Sequence, residues 1–252
     1  MIELAGTDRP GSAWSYQLMK IITLLPLVDW LAMGSFFAMW IGYALFAKYS
    51  GRHERSLIAT TNRYRCLWMV QATARDPRML DGLITQNLSH TPSFFSSTTI
   101  IIIGGLLALM GTTDKAAELV REIPFATQTP MLVFEFKILV LMGIFVYAFF
   151  RFSWSMRQYT FVALVIGAMP PAQEFADGLH DRKAMANRAG ALVGATAETF
   201  NDGLRAYYFS FAAMAWFFSP FALIAATALV VLILYGREFR SDVLQVLRDE
   251  RF

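Results

Sequence analysis

The chain has 252 residues, of which 56% are hydrophobic, 15% aromatic and only 16% charged. An average soluble domain is about 25% charged, so this composition excludes a disordered chain and favours an integral membrane protein over a water-soluble domain. The formal net charge of +3, from 22 Lys and Arg against 19 Asp and Glu, leaves no basic footprint for nucleic acid. The single cysteine, Cys66, excludes an internal disulfide and a cysteine-based metal site.

Four stretches without Asp, Glu, Lys or Arg, of 18, 32, 13 and 31 residues, predict membrane-spanning helices. Crossing a bilayer takes about 20 mostly apolar residues in a helix. The predicted spans are residues 27–46, 94–110, 131–150 and 204–235. The first twenty residues are too polar for a secretory signal peptide, so the first span is predicted to be an uncleaved anchor. Pro220 lies within the long fourth span and predicts a bend or a break there.

Helical periodicity also appears outside these spans. Amphipathic helices are predicted at about 56–91 and 152–202, and a surface helix at 237–250. Such helices fit the anionic inner leaflet or a platform for a partner. The segment 152–202 leaves three alternatives open: a prolonged third helix, a re-entrant piece or a fifth crossing. The chain is thus predicted to form one all-α polytopic membrane domain, residues 1–252.

Small residues in this sequence predict close contacts between helices. Gly190 and Gly194 are four residues apart, as are Ala191 and Ala195. This spacing lets two helices approach closely. The pair Gly104-Gly105 in the second span is interpreted in the same way.

The distribution of Lys and Arg predicts how the chain is oriented, because cytoplasmic connections carry an excess of these residues. Seven lie in the first connection and six from Arg151 to Arg205, against two in the N-terminal tail and two in the second connection. With four spans this places both termini outside. The C-terminal tail, with four basic residues, argues against that arrangement, and a fifth crossing would bring the tail inside.

Several motifs resemble those of one protein family. They include Asp29-Trp-Leu, Asn62-Arg63-Tyr-Arg65-Cys-Leu-Trp68, Glu135-Phe-Lys137, Phe152-Ser-Trp154-Ser-Met-Arg157-Gln158-Tyr159 and Phe200-Asn201-Asp-Gly203-Leu-Arg205. The chain resembles the bacterial branch of the domain-of-unknown-function family 599 from Asp29 to Phe239. The resemblance implies a small helical protein with several membrane spans and no assigned activity. It supplies no catalytic residues.

Three charged residues at membrane depth are the candidate intramembrane polar residues: Asp29, Glu135 and Lys137. A charge at the bilayer centre costs about 2.5–3.5 kcal/mol on the insertion scale, so each one needs a reason to be there. Asp29 and Lys137 both open spans that run inward, which predicts a structural ion pair near the outer face. Glu135 lies about 200° around the helix from Lys137 and cannot share that pair. The alternative interpretation is a proton or ion pathway through all three residues.

Four arginines are candidate contacts to anionic lipid: Arg63, Arg65, Arg151 and Arg157. The two on the third helix are flanked by Trp154 and Tyr159, residues typical of a membrane interface. Anchoring in the inner leaflet and binding of an anionic head group or cofactor both fit this pattern.

No complete catalytic motif is present. Asp177 and His180 form a single carboxylate-x-x-His unit, whereas a di-metal bundle needs two. We therefore predict no catalytic residue, no cofactor and no metal site. The sequence favours a non-catalytic scaffold or accessory subunit of the bacterial inner membrane, with the lipid bilayer and either a membrane-protein partner or a second copy as partners. A small transporter or channel with a polar path through the three intramembrane charges is the alternative.

Overall fold

The computed structural model describes residues 25–49, 56–112 and 130–248, and within these ranges the regular structure is helical throughout. The eight α-helices are α1 Leu27–Tyr49, α2 Leu57–Ala72, α3 Met79–Gly111, α4 Met131–Gly167, α5 Ala172–Ala176, α6 Arg182–Met214, α7 Pro220–Phe239 and α8 Asp242–Arg248. A short 3-10 helix, Ala215–Phe217, follows α6. The all-α prediction is confirmed.

Four segments are long and apolar enough to cross a membrane: Leu27–Tyr49, Met79–Gly111, Met131–Gly167 and Pro220–Arg248. The first three contain the first three predicted spans. Two of them exceed a bilayer. At 1.5 Å per residue, the 37 residues of α4 extend for about 55 Å, whereas the hydrocarbon layer is about 30 Å thick. The segment 152–167 therefore prolongs the third helix, which was one of the three alternatives left open by the sequence.

The predicted fourth span, 204–235, is wrong as a single helix, although the predicted break at Pro220 is confirmed. Helix α6 ends at Met214 and α7 begins at Pro220. Between them Ser219 has an extended backbone, and its Oγ accepts a hydrogen bond of 3.0 Å from the Ala222 N–H. Proline suits this first helical position because the N–H that it lacks would have no partner there. One long charge-free run in the sequence thus contains parts of two helices.

Helix α6 runs antiparallel to α4. The Ser155 Oγ donates to the Thr196 carbonyl at 3.1 Å, and the Lys137 Nζ donates to the Trp216 carbonyl at 2.9 Å. Residue numbers therefore rise along α6 as they fall along α4. The C-terminal third of α6 lies at the same level as the apolar half of α4.

Helix α7 then returns toward the C-terminal end of α1. The Phe46 ring lies 5.8 Å from the Phe239 ring, and the Glu238 Oε1 accepts a hydrogen bond of 3.1 Å from the Ile58 N–H. The Tyr64 hydroxyl of α2 donates to the Leu247 carbonyl of α8 at 3.0 Å. The C-terminal helix therefore lies beside α2, whereas the predicted four-span arrangement placed the C-terminal tail and the first connection on opposite sides.

The bundle has two ends. The turn end holds the starts of α1 and α4, the end of α3 and the turn at 215–219. The basic end holds α2, α5, α8 and the adjoining helix ends. Of the 15 Lys and Arg in the described residues, 14 lie at or beyond the level of Arg205 toward the basic end, and Lys137 is the exception.

The predicted amphipathic segment 56–91 is divided. Helix α2 ends at Ala72, and α3 begins at Met79 and continues through Pro92 into the span. The predicted surface helix 237–250 is divided too, because α7 ends at Phe239 and the separate helix α8 begins at Asp242.

The predicted close approach at Gly190 and Gly194 is confirmed. A Cβ atom at Gly190 would lie 2.9 Å from the Cys66 Cα, and one at Gly194 would lie 3.1 Å from the Asn62 Oδ1. These glycines let α6 pack directly on α2. The same interpretation of Gly104-Gly105 is wrong, because both glycines are exposed and a Cβ atom on either meets no atom within 4 Å.

Candidate functional site

Two opposite charges meet inside the bundle at the turn end. Asp29 lies in the first turn of α1 and Lys137 in the second turn of α4. The Lys137 Nζ is 3.9 Å from the Asp29 Oδ1, and the two side chains are 1% and 7% exposed. The predicted proximity is confirmed. It arises because α1 and α4 both run from the turn end toward the basic end, which puts their first turns at the same depth.

Trp216 joins both charged residues, and its role was not foreseen from the sequence. Its indole Nε1 donates to the Asp29 Oδ1 at 2.7 Å, while its carbonyl oxygen accepts from the Lys137 Nζ at 2.9 Å. The Lys137 Nζ also lies 5.3 Å from the centroid of the indole ring. We call Asp29, Lys137 and Trp216 the turn-end cluster.

The cluster compensates two costs at once. A helix that ends leaves its last carbonyl groups without intrahelical partners, and Trp216 lies in the 3-10 turn that terminates α6. The ammonium group satisfies that carbonyl, and the carboxylate satisfies both the ammonium charge and the buried indole N–H. The only signal for Trp216 in the sequence is a tryptophan just before Ser219-Pro220, since a buried indole N–H usually requires an acceptor.

Glu135 does not join the turn-end cluster. It is half-buried and lies two positions before Lys137 on α4, so its side chain leaves the helix on a different face. The three predicted intramembrane charges therefore do not converge.

Hydroxyl groups at mid-depth are also engaged between helices. The Ser96 Oγ lies 2.9 Å from the Ser153 Oγ and links α3 to α4. The Thr99 Oγ1 lies 2.6 Å from the Tyr207 hydroxyl and links α3 to α6. The Thr99 Oγ1 also donates to the Phe95 carbonyl at 2.5 Å, a bond that hydroxyl groups inside helices commonly make. These bonds connect three helices and leave fewer hydroxyl groups available to line a polar path.

The four arginines predicted to contact anionic lipid have different surroundings. Arg63 and Arg157 are exposed. Arg65 is half-buried, and its Nη1 donates to the Thr61 Oγ1 at 2.9 Å and the Asn62 Oδ1 at 2.6 Å. Burial lowers the pKa of the Arg65 guanidinium from its ordinary value, and the nearby Tyr159 and Glu198 oppose that effect. Only these two arginines are exposed, and the Arg157 guanidinium lies 5.8 Å from the centroid of the Phe161 ring.

Arg151 lies in a second charged cluster at the level where α4, α6 and the end of α1 meet. The Arg151 Nη2 donates to the Asp202 Oδ2, and the Arg205 Nη1 donates to the Asp202 Oδ1 at 3.1 Å. The Arg205 guanidinium also lies 5.9 Å from the centroid of the Tyr43 ring. One carboxylate is thus shared by two guanidinium groups.

Arg78 joins the ends of two helices at the basic end. Its Nε donates to the Ala72 carbonyl at 2.9 Å, where α2 ends, and its Nη2 donates to the Pro170 carbonyl at 2.6 Å, beyond the end of α4. Asp81 is fully buried beside it and accepts from the Trp68 Nε1 at 2.8 Å and the Arg75 Nη1 at 2.6 Å. These contacts fix the connection between α2 and α3.

The Asp177-x-x-His180 unit lies on an exposed part of the chain. The His180 Nε2 lies 3.0 Å from the Glu174 Oε2, and both side chains are exposed. Within the described ranges, no group of three His, Cys, Asp or Glu residues is arranged to hold a metal ion.

The comparisons with known proteins agree with the resemblance seen in the sequence. Neither the curated proteins nor the solved structures provide a match. A family model described as "Protein of unknown function, DUF599" matches residues 31–243. This range contains helices α2 to α7 completely, most of α1 and the first two residues of α8. The chain therefore belongs to family 599 of proteins of unknown function.

Proposed function

We propose that this protein is a non-catalytic scaffold or accessory subunit of the bacterial inner membrane. The observation that carries this proposal is the turn-end cluster, in which the buried charges of Asp29 and Lys137 are used to hold a helix terminus. A transported ion or proton needs groups that can exchange partners and meet water. The two side chains are 1% and 7% exposed and bind each other and Trp216.

The distribution of basic residues supports an orientation with the basic end in the cytoplasm. Of the 15 described Lys and Arg, 14 lie toward that end. This asymmetry agrees with the excess of Lys and Arg in the cytoplasmic connections of membrane proteins. The part of α4 that exceeds the bilayer, together with α2, α5 and α8, then forms a cytoplasmic surface.

Large apolar side chains at the basic end support a surface that docks against lipid or a partner. On α2, Leu67 is 58% exposed, and on α8, Val243 and Val246 are 59% and 71% exposed. Exposed apolar patches that are surrounded by polar residues are typical of interaction sites. A scaffold would use this face to hold another membrane protein.

Site-specific photo-crosslinking in living cells tests the proposal. A photo-reactive amino acid at Leu67, on the cytoplasmic surface, is compared with one at Leu232, a residue of α7 that is 66% exposed at membrane depth. We expect one discrete protein adduct from position 67 and only lipid adducts from position 232. Absence of a protein adduct at position 67 and at Val246 would contradict the scaffold role.

A further inference from the structure

An apolar cleft of about 530 Å³ separates α1 from α4 at membrane depth. Residues of both helices line it, among them Phe37, Trp40, Ala44, Val140, Gly143 and Tyr147. The Trp40 ring on the α1 side stacks on the Phe209 ring of α6 at 5.2 Å. The cleft therefore has apolar walls, one of which is held in place by α6.

Small residues keep the cleft open. Gly143 is exposed, and a Cβ atom built on it meets no atom within 4 Å. On the facing helix the wall includes the small side chain of Ala44. The backbone at position 143 therefore accommodates a side chain that begins at the cleft, so the space can be filled by mutation.

A cation follows each wall of the cleft on the side of the basic end. Lys48 follows Ala44 by four residues, and Arg151 follows Tyr147 by four, so each cation lies on the same helix face one turn beyond the cleft. Asp202 partly balances Arg151, since its carboxylate is shared with Arg205.

The charges around the mouth do not cancel. Glu198, Asp202, Lys48 and Arg205 line a small neighbouring cavity, so with Arg151 three cations face two carboxylates. The Arg151 side chain is 31% exposed, so an anion can reach its guanidinium group although its Nη2 donates to Asp202.

We propose that the cleft binds one acyl chain of an anionic glycerophospholipid, whose phosphate lies between Lys48 and Arg151. The hydrocarbon of the surrounding leaflet fits the apolar walls, and the two cations lie at the level of the head groups. A guanidinium group binds phosphate through charge-assisted hydrogen bonds, and the Arg151 side chain is partly exposed. The leaflet is the one at the basic end, where anionic head groups and basic residues attract each other.

Native mass spectrometry of the full-length protein, with phosphatidylglycerol and phosphatidylcholine of identical acyl chains in equal amounts, tests the cleft. Gly143→Leu fills it, and Gly105→Leu adds the same bulk to an exposed face of α3 where a Cβ atom also meets no atom. We expect Gly143→Leu to lose bound phosphatidylglycerol at least tenfold and Gly105→Leu to retain it. Unchanged binding in Gly143→Leu would overturn the proposal.

The head-group contact is tested separately. We expect Arg151→Gln to abolish the preference for phosphatidylglycerol, whereas Lys183→Gln, at an exposed position of α6 away from the cleft, keeps it. Lys48→Gln is the second variant, because it leaves the Arg151–Asp202 pair intact should Arg151→Gln fail to fold. Equal binding of both lipids to the wild type would overturn the proposal, as would a protein dimer that Gly143→Leu dissociates, since a second copy would then occupy the cleft.

Discussion

The Lys137 Nζ donates a hydrogen bond of 2.9 Å to the Trp216 carbonyl, at the point where α6 ends and the chain turns into α7. The ammonium group in the second turn of α4 thus satisfies a carbonyl group at the end of α6. The arrangement links the start of α4 to the helical break, and Asp29 supplies the countercharge from α1 at 3.9 Å.

Replacing Lys137 with Met leaves the Asp29 carboxylate buried without its cation. Breaking a buried pair in this way costs about 3–5 kcal/mol. We expect Lys137→Met to lower the free energy of unfolding in detergent by that amount. Tryptophan fluorescence is the signal that reports unfolding. Glu135→Gln is the matched control on the same turn and should change stability by less than about 0.5 kcal/mol.

The double variant Asp29→Asn with Lys137→Met removes both charges. We expect it to be more stable than Lys137→Met alone, because no unpaired buried charge remains. Additive losses in the double-mutant cycle would show that the two side chains do not interact.

Trp216→Phe keeps an aromatic ring and removes the indole N–H that Asp29 accepts at 2.7 Å. Loss of one partner of a buried hydrogen bond costs about 1–3 kcal/mol, and more when the remaining group is charged. We expect thermal unfolding in detergent at a lower temperature. Trp154→Phe is the control, since Trp154 is 50% exposed. An equal change in both variants would contradict a specific role for Trp216.

Gly190→Ala tests the packing of α6 on α2. The added methyl group would lie 2.9 Å from the Cys66 Cα, so the helices must separate, at a cost of about 1–3 kcal/mol. Gly82→Ala, in α3 and in open space, should instead gain up to about 1 kcal/mol from its higher helix propensity. Both changes are read from chemical denaturation of the purified protein. A stabilised Gly190→Ala variant would be inconsistent with the close contact.

The orientation is tested by cysteine labelling in a variant that carries Cys66→Ser. A cysteine at Val246, which is 71% exposed on α8, should react with a membrane-impermeant maleimide only after the cells are opened. Arg75→Cys, between α2 and α3, should behave in the same way. Labelling of either site in intact cells would place the basic end outside.

Depth along a helix could be predicted from the sequence, but the partner across the bundle often could not. Asp29 and Lys137 were paired correctly because each opens an apolar stretch that runs in the same direction. Trp216 was missed because its position at that level depends on the chain reversing direction before Pro220. A proline in a charge-free run predicts a bend or a break, but it does not predict that the next helix runs back. The topology of the C-terminus depended on the same turn.

Small-residue spacing shows the same limit. Gly190 packs against Cys66, whereas Gly104 faces open space within the chain, although both belong to glycine pairs in helices. Spacing identifies a helix face that can approach a neighbour, and only the tertiary arrangement decides whether a neighbour is there. The cleft between α1 and α4 could not be predicted from the sequence either, because its two walls are about one hundred residues apart along the chain.

Ion flux and stability measured together on Asp29→Asn test the central claim most directly, namely that the buried charges are structural. The wild type and the variant are reconstituted in liposomes, and proton and sodium leakage is compared with that of empty liposomes. We predict no flux above empty liposomes for either protein, and a lower free energy of unfolding for Asp29→Asn because Lys137 loses its countercharge. A wild-type flux that Asp29→Asn abolishes while stability stays unchanged would contradict the account and favour a transporter.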